Sequence, residues 1–247
     1  RTSQQLNLVK AWGANSTTGH TATATTSGGA NNATFISAAP TGTTGVAVAM
    51  LSGNIVTLPV ETFGGGASAA MYTTTLVCTG GSPLASGAAG RTLTITSSAT
   101  PTTCTYTNTR ITKTLTLQKQ WASAVVGDDA TVTVSRGATA IDTLASDAGA
   151  ANELDTDATP TTVLAGETLT LAETLAGGNI GTYTGALACT GGGTVVGSTL
   201  TVDSTATAVV CTYTNTRVIS NLQASKSANP VDGTTVVPGQ LITYTLS

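Results

Sequence analysis

The sequence predicts an all-β chain built from tandem antiparallel β-sandwich domains. Threonine, a β-branched residue that favours strands, is the most frequent residue, and aromatic residues make up only 4% of the chain. Short runs alternate threonine with apolar residues between turn signals of Gly, Ser, Asn and Pro, as in 92–96 and 131–135. No segment shows helical periodicity over a useful length. Short, regularly spaced strands of this kind are typical of a sandwich.

An internal repeat of about 108 residues organises the chain. The pattern L-x-L-x-K-x-W occurs at 6–12 and again at 115–121, and C-T-Y-T-N-T-R occurs at 104–110 and 211–217. An arginine also stands nine residues before a lysine three times, in the pairs Arg1 and Lys10, Arg110 and Lys119, and Arg217 and Lys226.

These repeats predict three units. We expect one β-sandwich at 1–110, a second at 111–217, and the opening strands of a third, incomplete repeat at 218–247. The sequence is then expected to be a window of a longer tandem array, or a subunit processed at a repeat boundary. The acidic stretch from Asp142 to Asp157 is expected to be a loop.

Charge is scarce, and this excludes several classes of function. Only 9% of the residues are charged, against about 25% in ordinary domains, and the formal net charge is −3. No basic patch is present for nucleic acid or an anionic membrane, and no apolar run approaches a membrane span. The chain has no P-loop and no Ser/His/Asp set, so we expect neither an enzyme acting on an external substrate nor a cofactor.

The cysteines favour disulfides. Four cysteines allow three connectivities, and the repeat symmetry favours Cys78–Cys104 and Cys189–Cys211. A zinc site is the alternative, but the chain has no C-x-x-C motif and a single histidine, His20. Disulfides would indicate an oxidising, extracytoplasmic compartment.

The lysine of the repeated motif falls on the apolar face of its predicted strand, where a charged residue is not expected. The first 110 residues hold one lysine, Lys10, and one carboxylate, Glu61. A strand has period two, so Lys10 shares the apolar face with the leucines and Trp12 of its motif, and Lys119 repeats this arrangement. Because a buried ammonium is costly, we expect something in each unit to neutralise it.

An asparagine and a glutamate are expected on the same buried faces. Asn108 alternates with Cys104 on the last strand of the first unit, and Asn215 repeats this position. Glu173 alternates with leucines, whereas Glu61 stands one residue out of phase with Leu58 and the strand before it. A β-bulge would restore the direction of the Glu61 side chain.

This combination resembles the Cna protein B-type, or prealbumin-like, domain of bacterial surface proteins and pilins, which has an Ig-like sandwich fold. That family has a lysine on the first strand, an E-T pair before a G-x-Y segment, and an asparagine near the end of the last strand. The family's usual proline-rich segment after the E-T pair is missing here. The matching residues are Lys10, Glu61-Thr62, Tyr72 and Asn108, and then Lys119, Glu173-Thr174, Tyr183 and Asn215.

The resemblance implies a spontaneous isopeptide bond in each unit, between Lys10 and Asn108 and between Lys119 and Asn215, with Glu61 and Glu173 as the assisting acids. Physical chemistry points the same way, because burial favours a neutral lysine and a protonated glutamate, a nucleophile beside an acid. The alternative is that no bond forms. In that case the lysines extend from edge strands to solvent, the asparagines are turn residues at strand ends, and the glutamates form buried salt bridges with the lysines.

The third unit differs from the first two. Its S-K-S-A-N-P … P-G-x-x-I-T-Y pattern resembles another repeat of bacterial surface arrays, and no partner for Lys226 can be assigned. Acidic residues could instead hold calcium, although solvated loop acids are the simpler interpretation, and no metal site is predicted. The candidates are Asp128 with Asp129, and Glu153 with Asp155 and Asp157.

Together these features predict a structural segment of an extracellular fibre, stalk or adhesin at the bacterial surface. The expected partners are neighbouring domains or copies of the same protein, with host or surface glycans and proteins as further candidates. One alternative is a ligand- or glycan-binding adhesin module that uses loops at Gly13–Pro40 or Asp142–Pro160. Another is a filament subunit that adds residues 218–247 to a neighbour's sheet.

Overall fold

The computed structural model describes residues 1–205, 208–219 and 224–247. These residues form 23 strands and one short 3₁₀ helix, Ala69–Met71. The all-β class predicted from the sequence is therefore confirmed. Leu222, a residue of the expected third unit, lies outside the described residues.

Residues 1–110 fold into two facing layers of strands. One layer is a sheet in the order β4-β1-β11-β8-β9, with β5 also paired to β1, and the other consists of β3-β2-β7 and β10-β6. The strands are β1 Ser3–Trp12, β2 Thr21–Thr25, β3 Thr34–Ala38, β4 Thr43–Thr44, β5 Val48–Leu51, β6 Ile55–Leu58, β7 Thr62–Gly64, β8 Tyr72–Gly80, β9 Leu84–Gly87, β10 Arg91–Thr94 and β11 Thr102–Arg110.

Residues 111–217 repeat this plan. One sheet has the order β15-β12-β21-β18, with β16 also paired to β12, and the other has the order β14-β13-β17-β20-β19. The strands are β12 Thr112–Ala122, β13 Asp129–Arg136, β14 Thr139–Asp147, β15 Glu153–Thr156, β16 Thr161–Leu164, β17 Thr168–Leu175, β18 Tyr183–Gly191, β19 Gly193–Val196, β20 Thr199–Val202 and β21 Ala208–Arg217. A hairpin of β22 Lys226–Asn229 and β23 Thr243–Leu246 follows.

The first and last strands of each repeat are neighbours, and they are parallel. In the first repeat β1 pairs with β11, and in the second β12 pairs with β21; the other ladders are antiparallel. Parallel neighbours need a long connection, and here the whole repeat forms it. The two ends of each repeat therefore lie side by side in one sheet.

A core fills the space between the two layers of each repeat. Leu6, Leu8 and Tyr106 are completely buried in the first core, and Leu117 and Leu171 are completely buried in the second. The alternation of buried and accessible residues along β1 and β12 has the period of two that the sequence predicts.

Two segments predicted as loops contain strands. The stretch from Asp142 to Asp157 holds the end of β14 and all of β15, and β2 and β3 lie within Gly13–Pro40. The prediction of loops was wrong because polar residues alternate with small ones here, which suits a strand with one face in solvent. The two segments considered as ligand-binding loops, Gly13–Pro40 and Asp142–Pro160, therefore each contain strands as well as connecting segments.

The predicted β-bulge before Glu61 is also wrong. The strand β6 ends at Leu58 and pairs with β10, whereas β7 begins at Thr62 and pairs with β2. Pro59 stands at this break, and proline cannot donate a ladder hydrogen bond. The break gives Glu61 its inward direction without a bulge, and the equivalent strand β17 runs unbroken through Glu173.

The two repeats make contact through the residues that join them. Arg110 is buried, and its guanidinium donates hydrogen bonds to the carbonyl oxygen of Ala165 in the second repeat and to Thr17 Oγ1 at 3.0 Å in the first. The backbone of Ile111 is hydrogen-bonded to both repeats: its amide donates to the Met71 carbonyl at 3.1 Å, and its carbonyl accepts from the Ala165 amide at 3.0 Å.

No helix in the described ranges is long and apolar enough to cross a membrane.

Candidate isopeptide centres

The first centre forms where β1 and β11 lie side by side. Lys10 is opposite Tyr106 in the ladder, and Trp12 is opposite Asn108. Lys10 and Asn108 therefore project from the same face of neighbouring strands, two residues apart along the strand direction. Glu61 reaches the same space from the break between β6 and β7, on the opposite layer.

Lys10 and Glu61 form an ion pair that is closed to solvent. The Lys10 Nζ lies 3.2 Å from Glu61 Oε1, and both side chains are 0% exposed. The amine also donates to the carbonyl oxygens of Ala11 at 3.1 Å and Tyr106 at 3.4 Å, and lies 4.6 Å from the centre of the Trp12 ring. The Glu61 carboxylate is thus the group that neutralises the lysine.

Burial moves the protonation equilibrium of Lys10 towards the neutral amine. Loss of hydration lowers the pKa of Lys10 from 10.5 to about 8, against the opposing effect of the Glu61 charge. A neutral amine carries the free electron pair that a nucleophile needs. The site therefore makes the amine more available than it is on a surface lysine.

Asn108 is the group that the site leaves without a hydrogen bond. It is completely buried, and within the described ranges neither its Oδ1 nor its Nδ2 has a hydrogen-bond partner. Both Glu61 oxygens likewise lack an aligned donor there. A buried amide without partners is costly and rare in native proteins. Such an amide needs an explanation other than stability.

The second centre repeats this arrangement. Lys119 Nζ lies 3.2 Å from Glu173 Oε1, donates to the Gln120 carbonyl at 3.2 Å and lies 4.0 Å from the centre of the Trp121 ring. Burial lowers the pKa of Lys119, against the opposing effects of Glu173 and Asp155. The Glu173 side chain is 11% exposed, so this centre is slightly more open than the first.

Asn215 and Glu173 converge on one point of the backbone. Asn215 is completely buried and, in the part of the chain that the structure describes, its amide also has no hydrogen-bond partner. A Cβ placed on Gly185 would lie 3.2 Å from Asn215 Oδ1 and 3.6 Å from Glu173 Oε2. The glycine leaves room for the amide and the carboxylate to lie together, whereas Thr74 occupies the matching ladder position opposite Asn108.

A tryptophan and a serine in each repeat support the lysine, and the two serines were not among the residues predicted from the sequence. Trp12 Nε1 donates to Ser37 Oγ at 3.1 Å, and Trp121 Nε1 donates to Ser146 Oγ at 2.9 Å. Each hydrogen bond holds an indole ring against the amine. The sequence does contain a pattern that could have identified these serines, because both stand at the same separation from the tryptophan of their repeat.

A tyrosine packs on each of these tryptophans, but its hydroxyl has a different partner in each repeat. Tyr72 meets Trp12 edge-on with ring centres 5.5 Å apart, and its hydroxyl lies 2.7 Å from His20 Nδ1. Tyr183 meets Trp121 at 5.3 Å, and its hydroxyl donates to Asp128 Oδ2 at 2.6 Å.

The acidic residues considered as calcium ligands have protein partners. Asp128 is buried and also accepts the amides of Ile180 and Gly181, each at 2.8 Å, so it holds the loop before β18. Asp155 accepts a hydrogen bond from Ser146. These contacts give both carboxylates structural roles.

The four cysteines form the two disulfides that the repeat symmetry favoured. Cys78–Cys104 joins directly opposed residues of β8 and β11, and Cys189–Cys211 joins β18 and β21, with Cα atoms 4.0 and 4.1 Å apart. The last strand of each repeat is thus tied covalently to one neighbour, while the lysine of the candidate centre lies on its other neighbour.

Lys226 lies apart from both centres. It is exposed on β22, with its Nζ 4.1 Å from the centre of the Tyr244 ring on β23. A cation on an exposed aromatic ring of this kind contributes about 0.5–1 kcal/mol.

A comparison with protein families assigns the second repeat. Residues 114–217 match the family model of the prealbumin-like fold domain. The resemblance inferred from the sequence is thereby confirmed for the second repeat, which is a prealbumin-like β-sandwich. None of the curated proteins compared with the chain matches it.

Several solved structures of pilus proteins are similar to this chain at low identity. The major pilin T-13 of Streptococcus pyogenes has 13% identity and a TM-score of 0.42, over 87% of this chain and 97% of that one. The pilin T3.2 of the same organism has 12% identity and a TM-score of 0.42, over 88% and 99%. A C-terminal fragment of the pilus adhesin SpaC from Lactobacillus rhamnosus GG has 13% identity and a TM-score of 0.42, over 89% and 99%.

Proposed function

We propose that this chain is a structural segment of an extracellular bacterial fibre, stalk or adhesin whose repeats are locked by autocatalytic isopeptide bonds. The locked domains are residues 1–110 and 111–217, and residues 218–247 begin a further unit. One observation carries the proposal: each repeat brings a buried amine and a carboxylate, closed to solvent in the first repeat and nearly so in the second, together with a buried asparagine amide that has no hydrogen-bond partner among the described residues. The pilin and adhesin descriptions of similar structures agree with this role.

The proposed reaction is one amide exchange per repeat. Lys10 Nζ, once its proton has moved to Glu61, attacks Cγ of Asn108 and forms a new N–C bond. The carboxyl of Glu61 polarises the amide oxygen, gives its proton to the departing nitrogen and takes the remaining extra proton from the attacking nitrogen, so that it ends the reaction protonated. The Cγ–Nδ2 bond breaks, and ammonia leaves. Lys119, Glu173 and Asn215 react in the same way.

Confinement supplies much of the rate of this step. Groups held in a near-attack geometry react in an effectively unimolecular way, and orientation alone can lower the barrier by about 7–11 kcal/mol. The product removes two liabilities at once, a buried charge and an amide without partners. Since the groups are consumed, each centre reacts once, and no external substrate is turned over.

The position of the bond explains its mechanical use. Force on a tandem array enters a repeat through its first strand and leaves through its last, and these strands are parallel neighbours. A bond between Lys10 and Asn108 would join them directly, so that tension bypasses the rest of the sandwich. Disulfides on the other side of the last strand fit an extracytoplasmic location.

Single-molecule force spectroscopy on the full chain tests this function. In reductant, which removes the disulfide constraint, we expect neither repeat to extend by its full length. Glu61→Gln should allow the first repeat to extend, and Glu173→Gln the second. Glu167→Gln, which alters an ion pair with the half-exposed Arg136 outside both centres, serves as the matched control. Full extension of both repeats in the unsubstituted chain would contradict the proposal.

Assembly by strand addition is a second candidate, favoured by one difference between the repeats. The strand β9 covers β8 in the first repeat, whereas β18 is the terminal strand of its sheet among the described residues. The strand Tyr183–Gly191 carries no charge, and uncharged edges accept further strands. The strand β23 of a second copy, exposed throughout, is the proposed occupant.

Sedimentation of the full chain over a range of concentrations tests this second role. Strand addition predicts oligomers that disappear on Ala188→Lys, which places a charge on the exposed edge of β18. A chain that stays monomeric at every concentration would exclude it, without bearing on the isopeptide bonds.

A further inference from the structure

The two candidate centres differ at the residue opposite the lysine. On the side away from the last strand, Lys10 pairs with Thr43 of β4, whereas Lys119 pairs with Asp155 of β15. Directly opposite residues of an antiparallel pair project from the same face, about 4.5–5.5 Å apart at Cβ. The second lysine therefore has a carboxylate neighbour where the first has a neutral hydroxyl.

A chain of hydrogen bonds holds Asp155 at the second centre. Ser146 donates its hydroxyl proton to Asp155 Oδ2, and the same oxygen of Ser146 accepts the Trp121 indole proton at 2.9 Å. In the first repeat, Ser37 donates instead to the Thr41 carbonyl oxygen at 3.0 Å. The tryptophan and serine are shared by the two repeats, and the carboxylate belongs to the second alone.

Two negative charges thus face Lys119, and one faces Lys10. Asp155 adds its charge to that of Glu173, and both work against the lowering of the Lys119 pKa by burial, whereas Glu61 alone does so at Lys10. A tyrosine also lies opposite each lysine on the last strand, Tyr106 opposite Lys10 and Tyr213 opposite Lys119, so these neighbours are matched.

We infer that Asp155 acts as a positioning residue for the proton of the second centre, holding it on Lys119 and so slowing isopeptide formation in the second repeat relative to the first. This inference rests on the proposed bond. Lys119 and Glu173 share one proton, which can lie on either group. In the reactive arrangement the proton is on Glu173 and the amine is neutral; in the unreactive arrangement the proton is on Lys119. A carboxylate placed beside the amine stabilises the ammonium, and therefore the unreactive arrangement.

Refolding of the full chain measures the two rates side by side. The chain is assembled by peptide ligation in denaturant and reductant, so that neither centre has folded and reacted, then diluted into oxidising buffer and quenched in acid at intervals. Digestion and mass spectrometry then follow the loss of ammonia separately in the peptides that contain Asn108 and Asn215. The first bond is an internal clock for the second in every sample.

The unsubstituted chain should close its first centre faster than its second. Asp155→Asn keeps the shape and an acceptor for Ser146 but removes the charge, and should accelerate the second bond by about tenfold, the change that one pKa unit produces. Asp155→Glu should restore the slow rate. If Asp155→Asn refolds poorly, Asp155→Ser serves as a second neutral variant and should accelerate the second bond as well. Ser146→Ala keeps the charge and should not accelerate the bond.

Acceleration is the decisive readout, because a purely structural role for Asp155 predicts slower closure when it is replaced. In the reverse direction, Thr43→Asp should slow the first bond. An unchanged or slower second bond in both neutral variants would overturn the inference while leaving the isopeptide bonds in place. Absence of ammonia loss from either repeat in every chain would overturn the proposed function itself.

Discussion

Replacement of Glu61 by glutamine separates a covalent centre from an ordinary buried ion pair. The variant keeps the size of the side chain but cannot take the lysine proton, so we expect no bond between Lys10 and Asn108. Glu61 is the appropriate choice because its side chain is completely buried, so no water replaces the lost carboxylate.

The size of the effect follows from the position of the bond. A bond from Lys10 to Asn108 would close a loop of nearly 100 residues, and loops of that size stabilise by about 4.7 kcal/mol on the chain-entropy model. Loss of one partner of a buried pair costs about 3–5 kcal/mol, because the remaining charge is unpaired. Even the first effect alone should lower the melting temperature of the repeat by about 20 °C or more.

Thermal unfolding and intact mass, measured on the same samples, test this magnitude. Glu61→Gln should gain the mass of one ammonia relative to the parent chain, after correction for the substitution, and its first repeat should melt much earlier. Glu167→Gln, the control at an ion pair outside both centres, should retain both ammonia losses and destabilise less than Glu61→Gln, because its partner Arg136 is half exposed. Glu61→Gln chains that lose two ammonia molecules, or melt like the control, would show that Glu61 does not assist a covalent bond.

The same geometry makes three further predictions. In Asn108→Ala, which cannot form the first bond, Lys10 remains an amine with a pKa of about 8 against 10.5 when unfolded. Between these two pH values the unfolded state binds more protons than the folded state, so the free energy of unfolding should rise from pH 8 towards pH 10. A urea midpoint that does not change with pH would contradict this. The same rise in the double variant Asn108→Ala, Lys10→Met would also contradict it. Replacement of both Cys189 and Cys211 by alanine should cost about 3 kcal/mol, measured by urea unfolding, whereas a loss below about 1 kcal/mol would show that the disulfide adds little. Ser146→Ala leaves the Trp121 indole proton without its acceptor and should destabilise the second repeat by about 1–3 kcal/mol in thermal melts, with Ser198→Ala at an exposed position as the control.

The repeat and the faces of its strands can be predicted from the sequence, because a strand places every second side chain on one face. That rule assigns Lys10, Lys119, Asn108 and Asn215 to buried faces, and all four are buried. The cysteine pairs are predictable as well, since Cys78 and its partner hold matching positions in both repeats. These are local or repeated signals, and one chain displays them twice.

The features that escape prediction depend on pairing between distant strands. The parallel contact of β1 with β11 spans a whole repeat, and no local pattern encodes it. The break at Pro59 resembles a bulge in the sequence, because the phase shift is visible there but the change of sheet is not. Asp155 has the sequence context of a loop acid, and its place opposite Lys119 follows only from the ladder of β12 with β15.

Peptide mapping of the unsubstituted, reduced chain by mass spectrometry shows whether each repeat condenses its buried amine with its buried amide. We expect two ammonia losses, with branched peptides that join Lys10 to Asn108 and Lys119 to Asn215. Linear peptides at all four residues, at the full mass of the sequence, would contradict it.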